Sequence, residues 1–353
     1  MPIEHETRDG KLIWIRNPVT GVISYVVDVR AKSFAFTVGR GEHFEGAAPR
    51  LSRNAISLAK ERCPFCPGNE SHAPAELFRV TPAEMPEWEP PPELRSPQWV
   101  MRVFNNLFPR IPTELTGNRN ESYVVVEDPR HFAEPAHSAA DLIHTGSLPQ
   151  QHFLRLLEVD VKVMRHSMAN PAVRSIVVRK NQGREAGASQ PHVHQQIIGS
   201  PEPFPVVRAE SHAEHDTPGL FEEQVLLMDR LGLVIERRRH VVSYASPIGT
   251  FPRSYDVIVP ASRGRLLSEL SNDELAEFGG ALHNILRVLG SYPLDYEIHQ
   301  GESLPLHAHV NARHYPYANV AGTLNLPDTL LESAAAIRRA IESGGYQGAE
   351  RTS

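Results

Sequence analysis

Two short patterns in this chain bring reactive side chains together. The first is His192-Val193-His194. On a β-strand residues i and i+2 share a face, so the two imidazoles would stand side by side. Such a pair can hold one metal ion, or it can set a nucleophilic ring beside a fixed one. Gln196 adds an amide donor to the same face two residues on. The approach to this segment, Asn181-Gln182-Gly183 and then Gly187-Ala188-Ser189, supplies glycines for close backbone approach and small donors suited to phosphate oxygens. The second pattern is Cys63-Pro64-Phe65-Cys66. Two thiolates at this spacing grip one tetrahedral metal ion when two further ligands come from elsewhere. The alternative is a redox pair, which belongs at the start of a helix that follows a strand. The flanks here are Arg62 and Pro67-Gly68-Asn69, within a Pro-rich stretch that has no core of its own. A metal gives such a stretch a reason to be ordered, and zinc is the reading the flanks favour.

The elements that must position these groups can be read from periodicity. Residues 11–30 read as a strand and turn around Asn17-Pro18-Val19-Thr20-Gly21. Residues 99–104 and 123–126 read as strands, ending at Asn105-Asn106 and at Asp128-Pro129-Arg130-His131. Ser147 and Gln150 have capping-box spacing, and Phe153, Leu157, Val161 and Met164 follow on one helical face. Residues 173–178 form the next strand, leading through the Gly-containing loop to His192. The same order then returns. Ser254-Tyr255 opens a strand, Ser271 and Glu274 form a second capping box, and Leu275, Phe278, Leu282, Ile285 and Leu289 keep helical spacing. Residues 294–298 form a strand, and a short loop leads to His307-Ala308-His309. Strand, helix, strand, loop and His-x-His thus occur twice, which marks a duplicated supersecondary unit. The fold class expected is α+β, an antiparallel sheet with flanking helices. A first half should run over 1–200, a second over 201–330, with 331–353 as a weakly ordered tail.

Bulk composition narrows the function. The chain has 353 residues, 41% of them hydrophobic, and a formal net charge of −6. It contains no apolar run long enough to span a membrane. The negative balance argues against nucleic acid as a partner, while leaving small phosphate esters open. The two cysteines cannot build a disulfide framework, and the polar, acidic first residues do not read as a signal peptide. A cytoplasmic, reducing location is the expectation. The eighteen histidines are many for this length, and their placement carries more information than their number.

The long pattern Asn181-x-Gly183-x-x-x-Gly187-x-Ser189-x-Pro191-His192-x-His194-x-Gln196 resembles the signature of the galactose-1-phosphate uridylyltransferase branch of the histidine-triad superfamily. The resemblance also takes in Asn17-Pro18-x-Thr20-Gly21, Arg30-Ala31-Lys32, Cys63-x-x-Cys66, Asn105-Asn106-x-Phe108-Pro109, Asp128-x-x-His131 and His307-x-His309, in the family's order. It spans roughly residues 13–315.

The resemblance implies that the duplicated unit is histidine-triad-like. It implies that His194 attacks the α-phosphorus of a nucleotide sugar, so that a nucleoside monophosphate, UMP in the uridylyltransferases, passes through His194 to a sugar 1-phosphate or to phosphate. Gln196 stands where hydrolases of the superfamily carry a third histidine. Its neutral amide can donate to a phosphoryl oxygen without protonating a leaving group. Asn181, Gly187 and Ser189 would meet phosphoryl oxygens, Asn105 and Asn106 the ribose side, and Arg30 the diphosphate. His131 and His192 would complete a Zn2+ site with Cys63 and Cys66. Glu210, His299, His307 and His309 would form a second, structural site for Zn2+ or Fe2+. A homodimer is the assembly the resemblance implies. A sister activity of the same fold, a phosphorylase or adenylyltransferase acting on ADP-glucose or a dinucleoside polyphosphate, would use the same residues. A non-catalytic zinc protein that binds nucleotides is the reading from another class.

The sequence departs from the uridylyltransferases at Val193 and Gln195, where they carry Pro and Gly. It departs again at Ala321-Gly322-Thr323-Leu324, which lacks their acidic residue near the hexose, and in the Pro-rich stretch 80–98. The nucleotidyl-transfer residues are therefore family-like, and the sugar pocket is not.

Overall fold

The computed structural model describes residues 3–28, 50–90, 94, 97–117, 119–313 and 321–343. Arg30, expected near the diphosphate, lies outside them. Packing divides the chain into two units, Ala47–Pro203 and a second made of Met1–Gly46 with Phe204–Ser353.

The N-terminal segment supplies β1 (His5–Arg8), β2 (Lys11–Arg16) and β3 (Ile23–Val27), antiparallel in that order. The turn between β2 and β3 forms because Asn17 Oδ1 accepts the N–H groups of Val19 and Thr20, both at 2.8 Å.

Ala47–Pro203 contains α1 (Arg53–Arg62), β4 (Glu76–Val80), β5 (Met101–Asn105), β6 (Glu121–Val126), α2 (Gln150–Met168), β7 (Ser175–Gln182) and β8 (His194–Ser200). Its sheet runs β4-β5-β6-β8-β7, each neighbour antiparallel. Helix α2 buries Phe153, Leu157, Val161 and Met164, the face its spacing predicts. Each such side chain stabilises the packing by roughly 1.5–3 kcal/mol. Its start is different from expectation. Pro149 is the N-cap, and the Ser147 hydroxyl turns back to the His144 carbonyl at 2.7 Å. The capping-box spacing was therefore a coincidence of sequence.

The other unit continues with α3 (Pro205–Asp216), α4 (Leu220–Arg230), β9 (Val234–Arg237), β10 (Val242–Ala245), β11 (Ser254–Ile258), α5 (Asn272–Leu289), β12 (Leu294–His299), β13 (His307–Ala312), β14 (Thr323–Pro327) and α6 (Leu330–Glu342). Its main sheet runs β12-β13-β11-β10-β9, again antiparallel throughout. The order β5, β6, α2, β7, β8 is thus matched by β10, β11, α5, β12, β13. The capping box at Ser271 and Glu274 is present, with both reciprocal bonds.

Two points of organisation differ from the expected halves. Strand β14 pairs in parallel with β3, so residues 1–46 belong with the C-terminal unit. Residues expected to begin a weakly ordered tail form α6, which buries Leu330, Ala334 and Ile337. Among the described residues, no helix is long and apolar enough to cross a membrane.

Candidate active site and metal centres

The Cys63-x-x-Cys66 knuckle starts where α1 stops, with Cys63 as the helix C-cap. Asn69 staples it, its Nδ2 donating to the carbonyls of Lys60 at 2.9 Å and Cys63 at 2.8 Å. A redox pair uses the positive N-terminal end of a helix to hold its thiolate. Cys63 sits at the opposite end, which removes that reading. Cys63, Cys66, His131 and His192 are all buried, and their ligand atoms lie within 4.8 Å of one another. Cys66 Sγ is 3.3 Å from His131 Nδ1 and 3.5 Å from His192 Nδ1, and Cys63 Sγ is 3.6 Å from His192 Nδ1. A tetrahedral zinc ion holds sulfur and nitrogen ligands about 3.5 Å apart, given its ordinary bond lengths. The four residues therefore fit a metal of that size. The hydrogen bond from Cys66, with those of His131 and His192, draws the Cys63 thiol well below its usual value, against the opposing effect of burial.

The histidines are aimed by their second nitrogens. His192 Nε2 donates to the Asp128 carbonyl at 2.8 Å, which leaves Nδ1 for the thiolates or an ion between them. Asp128 is itself held by a two-pronged pair with Arg130, at 2.7 and 2.8 Å.

His194 leads β8 and is buried. Its Nδ1 donates to the His192 carbonyl at 2.7 Å. That bond fixes the tautomer and puts the lone pair on Nε2, which has no hydrogen-bond partner among the described residues. Burial pushes the ring's pKa down to about 4, with the charges of Lys180 and His192 in the same direction. The imidazole is neutral at physiological pH, the form in which it can attack phosphorus.

Gln196 is turned by Asn106. The Asn106 Oδ1 accepts the Phe108 N–H at 3.0 Å, so its Nδ2 must be the group facing Ser122 Oγ at 3.3 Å and Gln196 Oε1 at 3.4 Å. The Gln196 amide N–H2 has no hydrogen-bond partner among the described residues. Asn105 is set apart from Asn106 by the register. Strand alternation puts Phe104 and Asn106 on the face of Gln196, and Asn105, opposite Tyr123, on the other.

In the loop after β7, Gly183 and Gly187 have φ of +81° and +85°, a backbone region open to glycine without strain. A Cβ at Gly187 would stand 3.4 Å from Asn181 Nδ2. That amide bonds the Ala186 carbonyl, and Asn181 Oδ1 accepts from Arg179 Nε at 2.9 Å. Asn181 thus shapes the loop, and Ser189 lies exposed on it. Arg179 went unnoticed in the sequence. It lies directly across from Gln196 in the β7–β8 register, and so on the same face. Its signal was the i, i+2 spacing to Asn181 on a strand, which puts a cation on the face that carries Asn181 and Gln196.

In the C-terminal unit Glu210, His299, His307 and His309 also converge within 4.8 Å. Glu210 on α3 reaches His299 Nδ1 at 2.8 Å and His309 Nε2 at 3.2 Å. His309 Nδ1 is held by Asp256 at 2.6 Å and His307 Nδ1 by the Pro305 carbonyl at 2.8 Å. His307 Nε2 is buried without a hydrogen bond. Three imidazoles and one carboxylate, with a ring nitrogen that lacks a partner, fit a zinc or ferrous ion. Burial raises the Glu210 pKa, but His299 and His307 outweigh it and hold the carboxyl well below its usual range.

The registers correct one expectation. His307-x-His309 had been matched to His192-x-His194. Ile258 faces His307 as Val126 faces His194, and Asp256 faces His309 as Val124 faces Gln196. His307 therefore answers to His194, and His309 to Gln196.

Residues 115–291 match the model of a domain of unknown function, DUF4921. The chain is 28% identical over 260 residues to ADP-glucose phosphorylase of Arabidopsis thaliana, an alignment covering 67% of this chain and 66%, just under two thirds, of the plant protein. A crystal structure of an Arabidopsis ADP-glucose phosphorylase with bound ADP-glucose superposes with a TM-score of 0.63 and 22% identity, over 92% of this chain and 98% of that one. A uridylyltransferase structure does so at 0.58 and 21% identity, over 77% and 96%. The family model matches half of the chain, so the chain belongs to the DUF4921 family, and it shares the fold of those ADP-glucose phosphorylase and uridylyltransferase structures.

Proposed function

We propose that this chain is a nucleotidyltransferase that takes a nucleoside monophosphate from a nucleotide sugar onto His194 and passes it to a phosphate-bearing acceptor. One observation carries the reading: the Nδ1–H of His194 is committed to the His192 carbonyl at 2.7 Å, so the Nε2 lone pair of a neutral imidazole is the group presented. In the first step Nε2 bonds to the α-phosphorus, and the bond from that phosphorus to the bridging oxygen breaks. The sugar 1-phosphate leaves as an anion and needs little acid assistance. Positive charge that develops on the ring is delocalised to Nδ1–H and met by the His192 carbonyl. The Gln196 amide donates to a non-bridging oxygen as charge builds there. In the second step an acceptor phosphate oxygen attacks phosphorus, the P–N bond breaks, and neutral His194 returns. This is ping-pong chemistry.

A zinc ion held by Cys63, Cys66, His131 and His192 would supply rigidity, because four protein ligands leave no position for substrate or water. The ligand His192 then serves His194 as a fixed carbonyl and a fixed neighbour. A second ion, zinc or ferrous, would be held by Glu210, His299, His307 and His309 as a structural centre.

For the donor, an adenine nucleotide sugar with orthophosphate as acceptor is supported by the 28% identity to the plant ADP-glucose phosphorylase. UMP transfer from a uridine nucleotide sugar is the second reading, supported by the Asn181-to-Gln196 pattern. The test is a panel of ADP-glucose, UDP-glucose and UDP-galactose incubated with the chain, followed by intact-protein mass spectrometry. An added AMP or UMP on the peptide carrying His194 is expected. No adduct with any donor, from a chain that carries its metal, would sink the proposal.

A further inference from the structure

The pairing of β7 with β8 runs from Ser175↔Ser200 to Arg179↔Gln196 and stops there. His194 lies two residues past the last pair. On the other edge of β8, the Val193 carbonyl accepts the Glu127 N–H at 3.2 Å. Successive carbonyls along a strand alternate in direction, so the His194 carbonyl points toward β7, where the ladder has ended. A side chain meets it instead: Lys180 Nζ donates to this carbonyl at 3.0 Å.

Lys180 is held in turn. It forms an ion pair with Glu127, whose Oε2 accepts from Thr145 Oγ1 at 2.7 Å. The Lys180 side chain is 2% exposed and that of Glu127 fully buried. Lying between Arg179 and Asn181 on β7, Lys180 leaves the strand on the face away from the imidazole. Burying an ion pair is costly, and hydrophobic residues of similar volume often serve stability as well or better. The position of this pair, directly behind the nucleophile, suggests what it is for.

We propose that Lys180, held by Glu127, is a positioning residue for His194: its ammonium replaces the missing strand partner and fixes the main chain from which the imidazole is presented. This rests on the reading of His194 as nucleophile. The residue is then anchored at both ends, its ring through the His192 carbonyl and its own carbonyl through Lys180. Displacements of about 1 Å in a reacting group can cost on the order of a hundredfold in rate.

The test compares the metal-loaded parent with Lys180→Met and with the double variant Lys180→Met/Glu127→Gln. The single variant strands a buried carboxylate and is expected to be unstable. The double variant removes both charges of the pair together, leaving the buried Asp160, whose carboxyl burial and the Glu127 charge hold well above its usual range, and is the decisive one. It should melt close to the parent. Peptides covering residues 192–197 should exchange amide hydrogen about tenfold faster or more, while those of α5 keep the parent's rate. The rate at which nucleotide is loaded onto His194 should fall about tenfold or more, with KM for the nucleotide sugar changed less than about twofold. A folded double variant with parental exchange over 192–197 overturns the proposal, whatever its activity. So does one that exchanges faster yet loads at the parental rate. A parent that takes up no nucleotide overturns the reading of His194, and the exchange comparison still decides whether Lys180 holds this segment.

Discussion

His194 and His307 occupy the same register position in their two units and hold their rings in the same way. Each leads the inner strand of its sheet, and each donates its Nδ1–H to the carbonyl two residues back, that of His192 at 2.7 Å and that of Pro305 at 2.8 Å. In both, Nε2 is the nitrogen left over. What surrounds it decides its use. Beside His307 stand His299, His309 and Glu210, a ligand set. Beside His194 stand Gln196 and Arg179, an amide and a cation, neither of which ligates zinc. One backbone device therefore presents a metal ligand in one unit and, on the function proposed, a nucleophile in the other.

From this it follows that His194→Ala should leave the metal alone. Among the described residues no hydrogen bond joins the ring to Cys63 or Cys66, and His192, the proposed ligand, keeps its bond to Asp128. We expect unchanged metal content and a near-parental melting temperature, with the nucleotide adduct abolished and turnover lowered by at least about a thousandfold. Elemental analysis and intact mass decide it together. Loss of zinc with the ring would mean that His194 is a ligand.

Arg179 should matter to the acceptor. It lies across from Gln196 with its Nε on Asn181, so its charge is directed at the same face. Arg179→Met is expected to raise the concentration of orthophosphate or sugar phosphate needed to discharge the nucleotidyl-enzyme by about tenfold or more, as loss of a charge-assisted contact would. Single-turnover discharge against acceptor concentration measures it. A parental concentration dependence would place the guanidinium outside the acceptor's reach.

The acid limb of stability should run through the start of α5. Arg265 grips Glu274 with both Nη atoms, at 2.5 and 2.9 Å, while Glu274 also closes the Ser271 capping box. The Arg265 bond, partly offset by burial and aided by Ser271, lowers the Glu274 pKa to about 2. A carboxyl depressed in the folded state stabilises fully above its unfolded pKa, near 4.5, and loses that contribution as pH falls toward 2. Glu274→Gln should therefore cost about 1–2 kcal/mol at pH 7, after allowance for solvent around Arg265, and the difference from the parent should close between pH 4.5 and 2. Urea unfolding across that range tests it. A gap that persists at pH 2 would assign the loss to the capping geometry instead of the charge.

The Cys63, Cys66 pair, the helix faces and the order of elements could be read from the sequence because each depends on local spacing, whereas His131, Glu210 and His299 joined the clusters only through the family resemblance. Cys63 and Cys66 advertise themselves, and Phe153, Leu157, Val161 and Met164 mark a helix wherever it packs. What could not be read depends on partners distant in sequence. The match of His307 to His194 is set by Ile258 and Val126, strand partners that no His-x-His spacing reveals. Asn105 and Asn106 look alike in sequence, and only the register of β5 against β6 tells which one faces Gln196. The assignment of residues 1–46 to the C-terminal unit follows from β3 pairing with β14, a contact between opposite ends of the chain. Lys180 and Glu127 carried no signal, because a buried ion pair resembles two surface charges until the sheet is assembled.

The two candidate metal clusters should fail separately. Cys63, Cys66, His131 and His192 all belong to Ala47–Pro203, and Glu210, His299, His307 and His309 all belong to the other unit, so neither site borrows a ligand. Glu210→Ala removes the carboxylate that reaches His299 and His309, and leaves the cluster of three imidazoles without the anion they share. We expect it to lower metal content by one equivalent per chain and the melting temperature by roughly 5 °C or more, while nucleotide loading on His194 stays within a few-fold of the parent. Cys63→Ser should also cost one equivalent, but from the site that fixes His192. Loading should then fall with it, because the His192 carbonyl that orients the His194 ring is no longer held in place. Metal analysis, thermal melts and intact mass on the two variants form a crossed design. If Glu210→Ala were to lose nucleotide loading as completely as Cys63→Ser, the two centres would be coupled, and the metal in the C-terminal unit would need a role in the chemistry.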